Sequence, residues 1–286
     1  MRKKKEDEGS RRWLVILLDF RRTKMRKPDE RTGEIPLESV PANSDAVIRM
    51  ESKSIIIVPA RMASKRLPGK PLLTTGGKAL VHWTYDQAKK TKADHVVVAT
   101  PDREIGRYCQ TNGLTWFPTT EDHPNGTSRC WEIVSRSKVE FRTIVNWQVD
   151  EPLVDPDRIN DLIDFPFNEV STLICPNCSP MQLTDRDVTK VVYSKFRCHW
   201  FSRAPLGGSG VHIGVYAFHP KSLEKISRQA ASRAAEEESL EQLTWIETGF
   251  DIAACGMVDV PLSINTQADW DEFKKLKEGA SSDVSD

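Results

Sequence analysis

The sequence predicts an α/β fold, with a mainly parallel central sheet, flanking helices and a smaller mixed-strand region. Two observations lead to this prediction. Beyond about residue 52, short β-branched runs alternate with stretches whose apolar residues recur at helical spacing. The 286 residues are also 38% hydrophobic, enough for the core of one large or two small domains. Strands joined through helices return in the same direction by right-handed crossovers, which builds a parallel sheet.

The first half of the chain supplies the parallel strands. Residues 54–58 are a continuous β-branched run, typical of a strand buried on both faces. The run at 95–99 repeats this pattern, and the stretch between them carries Leu80 and Trp83 at helical spacing. The next helical stretch is closed by Gly113, a residue favoured just after a helix. The predicted strands are 54–58, 95–99, 115–117 and 143–147, and the predicted helices are 79–90, 102–112 and 127–137.

The second half is less regular and fits a mixed sheet edge or a small subdomain. Its apolar residues are grouped into shorter runs, without a steady alternation of strand and helix. The predicted strands are 190–193, 199–201 and 211–218, and the predicted helices are 239–248 and 266–277.

Charge and hydropathy argue against two classes of partner. The chain has 41 Lys+Arg and 41 Asp+Glu, a balance that does not hold a protein to nucleic acid or to a membrane by bulk charge. Its longest apolar runs fall far short of the roughly 20 residues that span a bilayer. The apolar stretch WLVILL at 13–18 resembles a signal-peptide core, but Asp19 and Arg21 close it and no small-residue cleavage site follows. We therefore expect a cytoplasmic protein.

Residues 1–50 differ in composition from the rest of the chain. They hold 13 Lys+Arg and 9 Asp+Glu, mixed with three prolines and without a hydrophobic period. Such a segment does not carry enough apolar surface to offset the entropy of ordering it. The sequence thus predicts a charged, flexible extension over residues 1–50 and a folded domain over residues 51–286.

A basic loop follows the first predicted strand. PARMASKRLPGKP at residues 59–71 places Arg61, Lys65, Arg66 and Lys70 close together, which describes an anion site. Neither GxxxxGK[ST] nor GxGxxG is present, so neither a P-loop nor a dinucleotide-binding fold is indicated. Cations that reach a triphosphate can neutralise a leaving pyrophosphate. Charge alone would equally fit a solvated basic loop.

An acidic motif, NWQVDEP at residues 146–152, follows the fourth predicted strand. Asp150 and Glu151 emerge there, at the edge where a parallel sheet opens its ligand cleft. A carboxylate at this edge can hold Mg²⁺, which takes oxygen ligands together with substrate phosphates. An acidic pair before proline is also a common turn feature, so the motif gains weight only in combination with the basic loop.

Seven segments occur in order between about residues 55 and 276. They are PARMASKRLPGKPL, HPNGTSR, NWQVDEP, FSR, HIGVYAF, SLEQL and INTQADWDEF. Together they resemble the 3-deoxy-manno-octulosonate (Kdo) cytidylyltransferase family, the CMP-Kdo synthetases. The resemblance implies an α/β fold of the nucleotide-diphospho-sugar transferase type. It also implies a reaction that joins CTP to the anomeric hydroxyl of an acid sugar and releases pyrophosphate, for lipopolysaccharide or surface-polysaccharide synthesis. Residues 1–50 have no counterpart in the family.

The resemblance further implies roles for individual residues. The residues implied to bind the nucleotide are Pro59, Ala60, Arg61, Arg66, Lys70, Arg129 and Gln148. Those implied to bind the sugar are Arg203, His212, Tyr216, Glu241 and Gln242. The implied catalytic residues are Arg61, Lys70 and Asp150, and the implied Mg²⁺ ligands are Asp150 and Asn265. A sugar acid needs a cation for its carboxylate and directional partners for its hydroxyls. Taken alone, His212 also fits a hydrogen-bonded strand histidine, and Glu241 a solvated helix face.

Three residues depart from the family pattern. Val149 stands where the family has glycine in QGDEP, and Thr244 stands where it has arginine after LEQL. Asn265 replaces an acidic residue, so it offers a neutral oxygen but no charge. The loop at 204–211, between FSR and HIGVY, is also shorter than is usual in the family.

Two further interpretations therefore stay open beside a Kdo cytidylyltransferase. One is a cytidylyltransferase for another, sialic-acid-like sugar. The other is a non-catalytic nucleotide-binding or sugar-binding homologue, which the three departures favour and the intact basic loop and Asp150 oppose. The expected partners are CTP and an acid sugar, without nucleic acid or membrane, and a homodimer is left open.

Overall fold

In the computed structural model, which describes residues 54–64, 66–165, 169–206, 209–256 and 259–282, strands and helices alternate through the first half. The strands are β1 (Ser54–Pro59), β2 (Thr74–Thr75), β3 (Lys78–Ala79), β4 (His95–Thr100), β5 (Trp116–Pro118), β6 (Thr143–Trp147), β7 (Val170–Cys175), β8 (Lys190–Ser194), β9 (Arg197–Ser202), β10 (Gly210–Phe218) and β11 (Ile252–Gly256). The helices are α1 (Leu80–Ala88), α2 (Arg103–Thr111), α3 (Gly126–Arg136), α4 (Pro156–Asp164), α5 (Pro180–Thr184), α6 (Pro220–Ser227), α7 (Arg233–Glu238), α8 (Gln242–Glu247) and α9 (Gln267–Ser282). Among the residues described, no helix is both long enough and apolar enough to cross a membrane.

One large sheet organises the described part of the chain. Nine strands form it in the order β5-β4-β1-β6-β10-β7-β11-β9-β8, and β2 and β3 form a separate pair. β5, β4, β1 and β6 are parallel neighbours, and β7 is parallel to β11. Within this nine-stranded sheet, only β9 and β10 run opposite to the other seven strands. The predicted α/β fold with a mainly parallel sheet is confirmed.

The elements predicted in the first half lie where they were expected. Each is displaced by no more than one or two residues at an end, and β6 spans the predicted 143–147. In β1, Ile56 and Val58 enter the core on one face of the sheet, and Ile55 and Ile57 enter the core on the other. A strand buried on both faces needs apolar residues at every position, which is why the β-branched run predicted it.

Of the two arrangements left open for the second half, the mixed strands belong to the main sheet: β10 pairs with β6 on one side and with β7 on the other, and β9 and β8 form one edge. Three element boundaries required correction. The helix predicted at 266–277 extends to Ser282 as α9. The helix predicted at 239–248 begins only at Gln242, because Ser239 has a φ of 54° and ends α7. The strand predicted at 199–201 extends over the whole of β9, because it forms a hairpin with β8. The sequence did not predict β7, β11 or α4 to α7.

The domain boundary predicted at residue 50 stays a prediction, since residues 1–50 lie outside the described residues. Within the described chain, an apolar cluster ties the basic loop to the C-terminal motif. Leu67 packs with Ile264 in a buried group that also includes Leu80, Trp270 and Phe273. Burying a side chain such as Leu67 contributes about 1.5–3 kcal/mol. This cluster holds two segments, almost two hundred residues apart in sequence, side by side.

Candidate active site

The basic loop starts at the carboxyl end of β1, where Pro59 and Ala60 lie as predicted. The Ala60 N–H donates to a carbonyl at the end of β4 at 2.9 Å, and the Met62 N–H donates to Asp102 Oδ2 at 2.8 Å. These bonds hold the start of the loop against β4. Arg61 lies between them, exposed and without an ion pair to any residue that the structure describes. It is therefore accessible to an anion.

Lys70 stands where the loop closes. Gly69 has a φ of 68°, and a 3₁₀ turn over Lys70–Leu72 follows it. Lys70 Nζ donates to Asp150 Oδ2 at 2.7 Å and to the Ile264 carbonyl at 3.0 Å. The Ile264 N–H in turn donates to the Asp150 carbonyl at 2.8 Å. The basic loop, the NWQVDEP motif and the C-terminal motif therefore meet at one ion pair.

Arg66 adds a second contact between these segments. Its Nη1 donates to Asp187 Oδ1 at 2.6 Å, and its Nη2 donates to Asn265 Oδ1 at 3.0 Å. Asp187 was not predicted from the sequence. The Arg66 and Asp187 side chains are 47% and 56% exposed, so this pair contributes at most about 1 kcal/mol to stability. Its effect is to orient the Arg66 guanidinium. Lys65, from the same loop, lies outside the described residues.

The oxygen atoms at this junction fit part of the coordination of a divalent cation. Asp150 offers a carboxylate and Asn265 an amide oxygen, and the backbone bond from the Ile264 N–H to the Asp150 carbonyl brings their two segments together. Both oxygens accept hydrogen bonds from the loop, from Lys70 and Arg66 respectively. Nowhere in the described chain do three or more His, Cys, Asp or Glu side chains form a group that could hold a metal. A cation here would need further ligands from phosphate oxygens and water, as Mg²⁺ commonly has.

Arg129 lies on α3, almost completely buried. Its Nη1 donates to Thr119 Oγ1 and to the Thr120 carbonyl, the latter at 3.0 Å. Burial, and next the charge of Arg61, lower the pKa of the Arg129 guanidinium. Arg61 and Arg129, both predicted to contact the nucleotide, therefore lie within electrostatic range of each other.

Glu151 is a buried carboxyl whose role was not predicted. Its Oε1 accepts from Ser263 Oγ at 2.7 Å and from the Gly214 N–H at 3.3 Å, where a bulge interrupts β10. No described residue is a partner of its Oε2. Burial, and next the charge of Asp150, raise the pKa of Glu151 to about 8, so it is mostly neutral at pH 7. Gln148 also lies beside Gly214, with its Oε1 3.5 Å from where a β carbon would be added.

His212 and Tyr216 lie on β10 in an aromatic cluster. His212 Nε2 lies 2.9 Å from Thr172 Oγ1, and the ring centroid is 5.1 Å from that of Phe201 and 5.2 Å from that of Tyr216. Burial, and next the charge of Arg203, lower the pKa of His212 to about 3. His212 is therefore neutral near pH 7 and already has a hydrogen-bonding partner.

Glu241 and Gln242 lie at the start of α8, against α3. Thr127 Oγ1 donates to Glu241 Oε1 at 2.9 Å, and Asn146 Nδ2 donates to Thr127 Oγ1 at 3.2 Å. Burial raises the pKa of Glu241 to about 7. At this contact, the buried atoms Glu241 Oε2, Asn146 Oδ1 and Gln242 Nε2 have no partner among the described residues. Such atoms are uncommon in folded proteins, and they leave hydrogen bonds available to a ligand or water.

Arg203 connects the predicted sugar residues to the basic loop. Its N–H donates to Glu238 Oε2 at 2.9 Å, and its Nη1 donates to the Asp187 carbonyl at 3.2 Å. Burial, and next the charge of Arg66, lower the pKa of the Arg203 guanidinium. Arg203 and Arg66 thus converge on Asp187, one on its backbone and the other on its carboxylate. Arg203 from the predicted sugar residues and Arg66 from the predicted phosphate residues are therefore neighbours in this structure.

Comparison with known proteins shows the family of this chain. A family model described as Cytidylyltransferase matches residues 55–252. The chain is 33% identical to the 3-deoxy-manno-octulosonate cytidylyltransferase of Nitrobacter hamburgensis, covering 79% of this chain and 93% of the relative. It is 35% identical to that of Brucella anthropi, covering 78% and 96%. The chain belongs to the 3-deoxy-manno-octulosonate cytidylyltransferase family. The resemblance drawn from the seven segments is confirmed.

Solved structures extend the comparison to the fold of this cytidylyltransferase. CMP:2-keto-3-deoxy-manno-octonic acid synthetase complexed with CTP superposes with a TM-score of 0.74 at 29% identity, covering 80% of this chain and 100% of that one. The inositol-1-phosphate CTP transferase from T. maritima, at 14% identity, has a TM-score of 0.59 and shows a shared fold. The nucleotidyltransferase type of α/β fold is thus shown independently of the sequence motifs.

Two departures from the family pattern have local explanations in the structure. Val149 is not among the described residues with a positive φ, and its carbonyl accepts from Thr84 Oγ1 at 2.8 Å, so the backbone does not require glycine there. Thr244 is buried, and its Oγ1 accepts from the Ser232 N–H at 2.9 Å, which ties α8 to the start of α7. The third departure, Asn265, accepts from Arg66 Nη2 at 3.0 Å and brings no charge to this contact.

Proposed function

We propose that this cytidylyltransferase joins CTP to Kdo, giving CMP-Kdo and pyrophosphate for lipopolysaccharide or surface-polysaccharide synthesis. We also propose that the reaction depends on Mg²⁺. The observation that carries the proposal is the junction of Lys70, Asp150 and Asn265 at the carboxyl edge of the parallel strands. Ligands of α/β sheets bind at this edge. The names of the relatives and of the CTP-bound neighbour support the choice of nucleotide and sugar.

The proposed reaction is a single in-line displacement. The anomeric oxygen of the sugar, after loss of its proton, forms a bond to the α-phosphorus of CTP. The bond from that phosphorus to the bridging oxygen breaks, and its electron pair leaves with pyrophosphate. Arg61, Arg66 and Lys70 supply positive charge where the leaving group gains negative charge. No covalent enzyme intermediate is required, because positioning and charge stabilisation are sufficient for such transfers.

Asp150 and Asn265 would hold Mg²⁺ in this scheme. The ion, when bound, neutralises and orients triphosphate oxygens. The chain's own contribution is a carboxylate, which accepts from Lys70, and an amide oxygen, which accepts from Arg66, on two segments joined by the Ile264 backbone bond. Because Asn265 carries no charge, the site has one negative charge fewer than the family pattern provides.

The sugar side of the proposal rests on Arg203 and on the unpartnered atoms near α8. No described residue accepts a hydrogen bond from Arg203 Nη2, so the guanidinium keeps donors for a carboxylate. Glu241 Oε2 and Gln242 Nε2 are buried without a described partner, which suits sugar hydroxyls that both donate and accept. These features support an acid sugar but do not distinguish Kdo from a sialic-acid-like sugar.

Pyrophosphate release tests the proposal. The purified protein is assayed with Mg²⁺ and Kdo, with CTP compared against ATP, GTP and UTP, and with Kdo compared against N-acetylneuraminate. We expect release only with CTP and Kdo, its loss in Asp150→Asn, and its retention in Asp157→Asn, which changes an exposed carboxylate on α4. Release only with N-acetylneuraminate would assign the other sugar class. CTP binding by calorimetry without any turnover would instead support a non-catalytic homologue.

Two accompanying expectations stay predictions. A homodimer would be detected by sedimentation of the purified protein, and a cytoplasmic location by fractionation of the source cell. Neither follows from the contacts of a single chain.

A further inference from the structure

The loop at residues 185–188 presents four consecutive carbonyl groups to two cations. Lys190 Nζ donates to the first of these carbonyls at 2.6 Å and to the last at 2.7 Å. Arg203 Nη1 donates to the two between them, at 3.4 and 3.2 Å. The loop lies between α5 and β8 and has no helix or strand of its own. Side-chain donors therefore satisfy all four carbonyls, while the Asp187 N–H donates to Asp185 Oδ1 at 2.8 Å and the Asp185 N–H to the Met181 carbonyl at 3.0 Å.

Lys190 is buried completely, which is unusual for a lysine. Its third hydrogen bond goes to the Arg203 carbonyl at 2.6 Å, so all three N–H groups of the ammonium are used. No carboxylate forms an ion pair with it among the residues described here, and three backbone dipoles surround the ammonium instead. An aliphatic side chain would fill the same space without desolvating a charge. The three hydrogen bonds to backbone carbonyls, and not the filling of space, therefore explain why a lysine is buried here.

The loop held in this way carries groups of the proposed active site. The Asp187 carboxylate, on this loop, accepts a hydrogen bond from Arg66 Nη1 at 2.6 Å. Arg203, whose carbonyl accepts from Lys190, turns its guanidinium back onto the same loop. Lys190 therefore contacts the backbone of the proposed sugar-carboxylate ligand directly. Its connection to Arg66, a proposed phosphate ligand, is indirect: it passes through the loop to Asp187 and then through the exposed Arg66–Asp187 ion pair.

We propose that Lys190 is a positioning residue, which fixes the loop at 185–188 and the backbone of Arg203 so that the Arg203 guanidinium meets the carboxylate of the acid sugar. The inference rests on the proposed function for the identity of that substrate. It assigns Lys190 no contact with substrate. The direct contact to Arg203 and the indirect contact to Arg66 predict unequal effects on the two substrates.

Steady-state kinetics of Lys190→Met tests whether the substitution affects the acid sugar more than CTP. Methionine is one atom shorter than lysine and keeps most of its volume, but it donates to none of the three carbonyls. We expect the KM for Kdo to rise at least tenfold, the KM for CTP to rise no more than about threefold, and kcat to change less than the KM for Kdo. Lys190→Gln, which retains two donors, should recover part of the Kdo affinity.

The matched control is Val191→Ala, at the next position of β8. Val191 is also completely buried, but its side chain supplies no donor to the loop. It should lower the melting temperature while leaving both KM values within about twofold of wild type. If Lys190→Met matched this control in both KM values, or lowered only kcat, Lys190 would be a structural residue and the proposal would be overturned. If Lys190→Met did not fold, an unchanged KM for Kdo in Lys190→Gln would overturn it equally.

A second measurement is independent of turnover. Hydrogen–deuterium exchange of the full-length protein reports on the backbone amides around residues 185–189 without substrate. We expect exchange there to be at least tenfold faster in Lys190→Met than in wild type or Val191→Ala. If wild type showed no pyrophosphate release, the proposed function would fail, while exchange would still decide whether Lys190 orders the loop. Equal exchange in all three proteins would overturn the positioning role.

Discussion

The Lys70→Met substitution tests two proposed effects of Lys70: the positive charge that it presents to CTP and its competition with Mg²⁺ for Asp150. The Lys70 ammonium lies 2.7 Å from Asp150 Oδ2, an oxygen proposed to bind Mg²⁺. Methionine keeps the apolar stem but removes the charge. We expect weaker binding or slower turnover of CTP, because a cation facing the triphosphate is lost. We also expect tighter Mg²⁺ binding to the free protein, because no ammonium competes for the carboxylate.

The magnitude follows from the burial of the pair. The Lys70 and Asp150 side chains are 12% and 18% exposed, so the discount that applies to exposed ion pairs is small here. A hydrogen bond to a charged group contributes about 1.5–3 kcal/mol, and every 1.4 kcal/mol is a factor of about ten. Lys70→Met should therefore lower kcat/KM for CTP by at least about tenfold. The dissociation constant for Mg²⁺ without CTP should fall by a similar factor.

The assay compares three proteins, namely wild type, Lys70→Met and Lys78→Met. Lys78 forms a similar pair with Asp86 at 2.5 Å, and within the described chain it hydrogen-bonds to none of the proposed site residues. Calorimetry gives the Mg²⁺ affinity, and pyrophosphate release gives kcat/KM. If Lys70→Met and Lys78→Met had the same kcat/KM for CTP, the basic loop would have no part in the reaction. An unchanged Mg²⁺ affinity would show that the ion does not use Asp150 Oδ2.

Three more predictions follow from the same site and its surroundings. Asn265→Asp should lower the Mg²⁺ concentration for half-maximal activity, because affinity for a hard cation rises with ligand charge; superimposable titrations would remove position 265 from the metal site. A chain starting at Glu51 should keep its fold and its kcat/KM, because the family match begins at residue 55 and the alignments that cover more than nine-tenths of two relatives leave about a fifth of this chain outside; loss of either would refute this. Glu241→Gln should remove a pH dependence of stability. Burial raises the pKa of Glu241 from 4.5 to about 7, so the folded protein holds its proton more tightly, and wild type loses up to about 3 kcal/mol relative to the variant as pH rises from 4.5 to 7. Urea unfolding at pH 4 and pH 8 measures this difference, and parallel curves would contradict it.

The local sequence was sufficient for the elements of the first half. β1 and β6 are buried on both faces of the sheet, so nearly every side chain in them packs against the core. Strands buried in this way are rich in β-branched residues, which are visible in the sequence. The chemistry of the basic loop was equally visible, because its cations lie within one loop. The structure then placed Lys70 and Asp150, from separate segments, in one ion pair. Their meeting at one sheet edge was predictable from the rule that parallel strands end together.

The second half depended on contacts between distant segments. β7 and β11 are parallel neighbours, yet 82 residues separate the paired Val170 and Ile252, and no local period records such a pairing. The predicted helix at 239–248 failed for a related reason. Ser239, with a φ of 54°, ends α7 in the left-handed conformation, and the spacing of apolar residues does not indicate this break between two helices.

The sequence by itself determined the fold class, the family and which loops carry charge, because these depend on residue type and order along the chain. Only the tertiary structure decided that Asp187 orients Arg66, that Lys190 holds a loop by its carbonyls and that Glu151 is buried. The sequence did not single out Asp187 or Lys190, and it placed Glu151 in an acidic motif at the cleft edge without indicating its burial. Burial and the choice of partner depend on the tertiary structure, because the environment of a charged group is made by segments brought from elsewhere in the chain.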